Sequence, residues 1–257
     1  MEILSDALSA VTASAIDPIV LMLAGGGFVI GVLSVIFGGG MFFSVPLMQV
    51  LFPGITFGAI VGNVKVGSLF RSIGSTFSTR HEIEYRRNIE VIVIAFAGTI
   101  LGAFLISHLD QRWLLPAVFL AILVVEFAPR LSRLITARTF RVASFITGLY
   151  AGTFSAGLGI VLVALLRLKH PEDTSIAFVK VQARFVEFIL AVAAVMTHWV
   201  AGNLIAAIWV PWAIGSIIGG VVGGMILRRM MQWSGAVQKG ILRASYVVNV
   251  LTSWGSV

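Results

Sequence analysis

Apolar residues run along this chain in long, nearly uninterrupted blocks, and the polar residues fall between the blocks instead of alternating within them. A helix that crosses a bilayer needs about 20 apolar residues. By that measure the pattern predicts helices near 18–37, 55–79, 89–109, 112–128, 142–158, 174–197, 204–227 and 237–254. Two shorter apolar pieces, 41–52 and 160–168, follow Gly38-Gly39-Gly40 and the Gly157, Gly159 pair. At 1.5 Å per residue they reach only about 18 Å and about 14 Å, too short to cross alone.

The basic residues between blocks decide how the short pieces are counted. If both carry the chain across, with irregular backbone making up the length, Arg80, Arg86, Arg87, Arg130, Arg133, Arg138, Arg141, Arg167, Lys169, Arg228 and Arg229 share one side and only Arg112 faces the other. If they dip in and return, Arg167 and Lys169 land opposite the 130–141 loop. The first count agrees better with the excess of Lys and Arg on cytoplasmic loops. Ten segments, two of them short and broken, are therefore expected in preference to eight, with both termini outside the cytoplasm. The first 17 residues hold Glu2, Asp6 and Asp17 but no Lys or Arg, so they lack the basic start of a cleavable signal peptide and the first block is read as a retained helix.

Composition narrows this to an integral membrane protein, because 58% hydrophobic and 11% charged residues over 257 positions exceed what one soluble core of that size hides. One transmembrane domain over 1–257 leaves no room for a soluble domain. The net charge of +7 falls mostly in short loops, so it reports orientation and carries no nucleic-acid role. The absence of cysteine removes disulfides, thiolate metal sites and cysteine nucleophiles. No metal site and no cofactor are expected.

The halves resemble each other in order. Gly27, Gly31, Ser34 and Gly38 match Gly148, Gly152, Ser155 and Gly159, and further on His81, Gly98 and Gly102 match His198, Gly215 and Gly219. An odd number of crossings per half inverts the second copy. The expected fold is an all-α integral membrane protein of two inverted repeats, about 18–128 and 140–254, each of four long transmembrane helices plus one short broken helix. Gly-interrupted segments at matching positions of inverted repeats point to a transporter's binding site, since amides freed at a break need partners and a helix N-terminus favours an anion.

Charge inside apolar blocks is costly and marks a path or a site. Lys65 and Arg71 lie in one block, Lys180 and Arg184 in another, with Glu187 three residues beyond Arg184. Lys65 and Arg184 fall roughly 15 Å from their helix entrances, near the middle of a hydrocarbon layer about 30 Å thick, and are the leading candidates for an anion site. Internal pairing with Glu187 is the plainer reading of Arg184, and snorkelling explains Lys180 and Arg71 better than Lys65. Arg71 is set aside as structural. Four cations outnumber Glu187, which leaves a cation for an incoming anion; Glu187 is also a candidate proton relay. Asn63 and Gln182, beside the cations, and Ser34 and Ser155, before the breaks, could donate hydrogen bonds, although a serine in a helix commonly bonds to the carbonyl one turn back. Gly38, Gly39, Gly40, Gly157 and Gly159 would supply backbone amides; close helix packing is their alternative reading. His81 and His198 are read as interfacial residues and the six tryptophans as anchors near helix ends.

With GVLSVIFGGGMFFSVPL closing the first helix, GLYAGTFSAGLG reopening the second half and a basic loop between, the chain resembles the sulfite exporter TauE/SafE family over essentially its whole length. The second half departs from the family's usual glycine-rich run and following proline. The resemblance implies a multi-pass protein of the bacterial inner membrane that exports sulfite, sulfoacetate or a related sulfonate, and it alone supplies the direction of transport. The expected partners are the small anion, the bilayer and, in a homo-oligomer, further copies of the chain. A secondary transporter working by alternating access is the leading reading. A passive anion channel could use the same residues. An intramembrane hydrolase with Ser155 as nucleophile and His198 as base has thinner support, because the residues around Ser155 lack the G-x-S-x-G spacing.

Overall fold

A computed structural model describes residues 17–109, 134–155, 157–170 and 175–230, with isolated positions between 116 and 127 and at 232. The predicted helices near 112–128 and 237–254 lie outside the described residues apart from those isolated positions. Helices are the regular structure among the described residues: α1 (Pro18–Phe37), α2 (Gly40–Leu51), α3 (Phe57–Thr79), α4 (Tyr85–Ser107), α5 (Phe140–Gly152), α6 (Leu158–Arg167), α7 (Ile176–Val200) and α8 (Ala206–Met230), with one 3-10 turn at Arg80–Glu82. Three of them, α1, α4 and α8, are long and apolar enough to cross a membrane. Helices α3 and α7 match them in length, at 23 and 25 residues, and carry the buried charges.

Local chemistry sets the helix ends. Asp17 caps α1 through Ile19 N at 2.8 Å, with Pro18 at the first helical position. The two central helices start alike: the Thr56 hydroxyl accepts from Ala59 N at 3.3 Å and the Ser175 hydroxyl from Phe178 N at 3.3 Å. Both short helices open on a left-handed glycine, Gly39 with φ 71° and Gly157 with φ 71°, a conformation that a Cβ disfavours. Helix α5 stops at Gly152, earlier than the expected 142–158. The chain leaves the helix at Thr153, and Ser155 takes φ 52°, so the break begins before the predicted glycines and closes at Gly157.

Apolar residues lie outside as well as inside. Leu21, Val29, Val93, Phe104, Ile146 and Ile218 are exposed, whereas Asn63, Lys65, Arg71, Ser72, Asn88, Thr99, Gln182 and Arg184 are buried beside the hydrophobic core. An apolar exterior with polar groups kept inside is the distribution that hydrocarbon selects. Helices α3 and α7 cross at the centre; α1 packs on α8, α5 on α4, α8 also on α3, and α4 also on α7. Two seams of small residues permit the outer pairings. Gly27 and Gly31 sit against Trp212, Ser216 and Gly219, and Gly148 and Gly152 sit against the backbone of Ala95 and Thr99.

Ion pairs gather the basic segments at one end. Arg228 meets Glu82 at 2.9 Å, and Glu90 takes both Arg141 at 3.2 Å and Lys169 at 2.5 Å. Helices α5 and α6 therefore form a hairpin whose two outer ends, at Arg141 and Lys169, lie together. Helices α1 and α2 form the corresponding hairpin in the first half, and the two breaks lie close, since a Cβ added to Gly159 would come 4.0 Å from the Gly38 Cα.

The seams give a first prediction. A side chain at Gly148 would meet the backbone of Ala95, so Gly148→Val should lower stability by about 1–3 kcal/mol. Gly25, with nothing near its Cβ position, should accept Gly25→Ala without loss. Thermal unfolding of both variants in detergent checks this, and equal melting temperatures would contradict the packing argument.

Candidate functional site

Lys65, Arg71, Lys180 and Arg184 are only 2% to 7% exposed, and all four project from α3 or α7. Counting the helical rise, Lys65 lies about 12 Å from the start of α3 and Arg184 about 12 Å from the start of α7. The two helices run in opposite directions, so these cations sit on opposite sides of the midplane.

At the first break, the Arg184 guanidinium donates from Nη2 to the Ser34 carbonyl at 2.6 Å and from Nη1 to Glu187. Arg71 donates from Nη2 to Glu187 Oε1 at 3.3 Å and to Ser68 Oγ at 3.1 Å. Its Nη1 lies against Gly40, the first residue of α2, and a Cβ on Gly40 would come within 3.0 Å of it. The Arg71 Nε is buried with no partner. Lys180 donates to the Ile36 carbonyl at 2.8 Å. A hollow lined by Phe37, Gly38, Gly159, Ile160, Val163, Lys180, Ala183 and Arg184 opens here between the breaks.

At the second break, Lys65 Nζ donates to the Ala151 carbonyl and to Ser155 Oγ, the latter at 2.7 Å. Each break thus receives a cation from the other half of the chain: Arg184 reaches the break after α1, and Lys65 the break after α5. These charges terminate on carbonyl and hydroxyl dipoles, and Glu187 is the one described carboxylate among them. The remaining described acids, Asp17, Glu82, Glu84 and Glu90, stand at or near helix ends.

The structure gathers Lys65, Arg184, Lys180, Ser34, Ser155, Glu187 and the glycines at 38–40, 157 and 159 around the two breaks. Ser34 uses its hydroxyl proton on the Ile30 carbonyl at 2.5 Å, so its carbonyl, and not its hydroxyl, meets Arg184. Ser155 accepts from Lys65, and it is Lys65, not His198, that bonds to its oxygen. Asn63 and Gln182 are not brought into this group. The Asn63 amide donates to Ala59 and Asn203 carbonyls and accepts from Ile205 N at 3.0 Å, tying α3 to the α7–α8 connection. The Gln182 amide accepts from Glu84 N and Asn88 Nδ2 and donates to the Glu82 carbonyl at 2.6 Å, tying α7 to the α3–α4 connection. A buried side-chain amide is most favourable where donor and acceptor are both met, and helix connections offer unpaired backbone groups of both kinds.

Arg71, set aside from the sequence, belongs at the centre. A signal was available in the register. Counted from the face where α3 begins and α7 ends, Arg71 and Glu187 are both about 20 Å deep, so antiparallel neighbours bring them level.

Two predictions concern these contacts. Glu187→Ala leaves two buried guanidiniums without their shared carboxylate and should cost about 3–5 kcal/mol of stability; chemical unfolding in detergent measures it, and a loss below about 1 kcal/mol would refute the bridge. Asn63→Ala and Gln182→Ala strand buried backbone groups and should each cost about 1–3 kcal/mol while leaving anion affinity in the surviving folded protein unchanged.

The model of the family described as Sulfite exporter TauE/SafE matches residues 23–248 of the 257-residue chain. No curated protein and no solved structure matches it.

Proposed function

The chain belongs to the sulfite exporter TauE/SafE family of membrane transporters, and from that premise we propose that it exports a small organosulfur oxyanion, sulfite, sulfoacetate or a related sulfonate, across a bacterial inner membrane by alternating access. The observation that carries this reading is the surplus of buried cations at paired helix breaks, Lys65, Arg71 and Arg184 around one described carboxylate, Glu187. The surplus supports a negatively charged cargo, because a buried cation lacking a carboxylate is stabilised most by an anion.

The anion is assigned to the first break. Arg71 approaches the start of α2, where the helix N-terminus adds a partial positive charge, Arg184 meets the Ser34 carbonyl in the last turn of α1, and Arg71 Nε is a buried donor without a partner. Guanidinium groups suit an oxyanion because their parallel donors meet two oxygens at once. Lys65 and Ser155 offer a second, weaker station on the other side of the midplane. The reciprocal reach of α3 and α7 supports the two-inverted-repeat reading, in which each half helps complete the other's break. Alternating access then corresponds to movement of the two hairpins past the α3–α7 crossing.

Proteoliposome flux tests the proposal. Wild-type protein should move labelled sulfoacetate with saturation and counterflow. Arg184→Ala and Lys65→Ala should each weaken it roughly 10- to 100-fold, the range expected for a lost charge-assisted hydrogen bond of about 1.5–3 kcal/mol. Unchanged flux in both variants would refute the site, and unsaturable flux with ionic current would establish a channel in place of a carrier.

A further inference from the structure

Glu187 occupies the two guanidiniums in the manner of an oxyanion. Its Oε1 accepts from Arg71 and its Oε2 from Arg184, one oxygen to each cation. A sulfonate presents its oxygens to two cations in the same bridging way. Both guanidiniums also touch the first break directly, Arg71 at Gly40 and Arg184 at the Ser34 carbonyl and near Gly159. An anion arriving at that break therefore meets donors already held by Glu187. The carboxylate and the anion compete for them.

The charges around Glu187 decide the outcome of this competition. From α3, Arg71 and Lys65 act on it; from its own helix, Arg184 does, with Lys180 acting on Arg184. The charged side chains of α4, α5, α6 and α8 sit in their end turns, and α1 and α2 carry none. A carboxylate shut away from water stays ionised only through the cations beside it. Once an anion takes those cations, Glu187 loses both of its hydrogen-bonded partners, and only the more distant Lys65 still acts on it. Uptake of one proton resolves this and restores the cluster's starting charge.

We infer that the anion and a proton bind together: the anion replaces Glu187 between Arg71 and Arg184, Glu187 takes up one proton from solution, and the pair crosses as an electroneutral unit. This rests on the anion-site reading above. It adds that the co-transported ion is a proton and that its carrier is Glu187.

The test uses the purified full chain in detergent with methanesulfonate, an anion that stays ionised across the range and carries no proton itself. Binding should take up close to one proton per anion, read with an indicator dye in weakly buffered solution, and affinity should fall about tenfold per pH unit on raising the pH. Difference infrared spectra should gain the stretch of a protonated carboxyl group on anion addition. Glu187→Gln, a fixed mimic of the protonated state, should bind with no proton uptake, no pH dependence and no such band. Wild-type binding without proton uptake, or without the carboxyl band, overturns the coupling while leaving the anion site standing. Proton uptake persisting in Glu187→Gln overturns Glu187 as carrier. If wild type binds no anion at any pH, the site reading fails and the coupling with it. Should Glu187→Gln not fold, the wild-type stoichiometry and spectrum decide alone.

Discussion

A charge removed from water must find an opposite charge or a dense set of dipoles, and in this chain that requirement is concentrated on the crossing of α3 and α7. Glu187 joins Arg184 on its own helix to Arg71 on the other, so the two halves are locked together where their charges are buried. Loss of either side would strand the other, which is why a buried pair constrains structure even where its net contribution to stability is small. The outer helices can be read as consequences. They supply the apolar sheath around the crossing, and their small-residue seams let α1 lie close on α8 and α5 on α4.

The helix breaks arise from the same requirement. Backbone groups released at Gly38–Gly40 and at Thr153–Gly157 cannot face hydrocarbon. Arg184 gives a second donor to the Ser34 carbonyl, which also accepts from Gly38 N, at the first break, and Lys65 bonds the Ala151 carbonyl at the second. Buried cations and broken helices thus answer each other: the last carbonyls of each interrupted helix attract a cation, and at the first break Arg71 also lies near Gly40, the first residue of α2. A place that already balances partial charges of both signs can exchange one of them for a ligand with little rearrangement.

Much of this was legible in the sequence, though unevenly. Helix positions were legible because hydrocarbon imposes a length and an apolar composition on each span; the expected 18–37, 55–79 and 204–227 agree with α1, α3 and α8 to within a few residues. The break after α5 begins earlier than Gly157 and Gly159 predict, because Ser155, a non-glycine at φ 52°, lies inside it. Side-chain roles were harder. The depth of Lys65 and Arg184 could be counted along a helix, but the direction of each side chain around the axis could not be fixed without knowing the neighbours. Asn63 and Gln182 lie two residues from Lys65 and Arg184, about 200° around the helix, and that rotation turns them to the connections instead of the breaks. Arg71 has its partner on another helix, so its role becomes legible only once α3 and α7 are known to be antiparallel neighbours.

The two breaks are not equivalent, and the difference bears on direction through the membrane. One has two guanidiniums and the carboxylate; the other has one ammonium on a hydroxyl and a carbonyl. Guanidinium pairs hold an oxyanion in a fixed orientation, whereas a single ammonium on a flexible stem holds it loosely. A transporter that bound its cargo equally well at every depth would gain nothing from moving it, and one that bound it too tightly at any depth would not release it. In the proposed mechanism, a strong station whose donors Glu187 reclaims, followed by a weaker one at Lys65, would avoid both outcomes. On that proposal, the internal carboxylate would let a site strong enough to capture a dilute anion also release it.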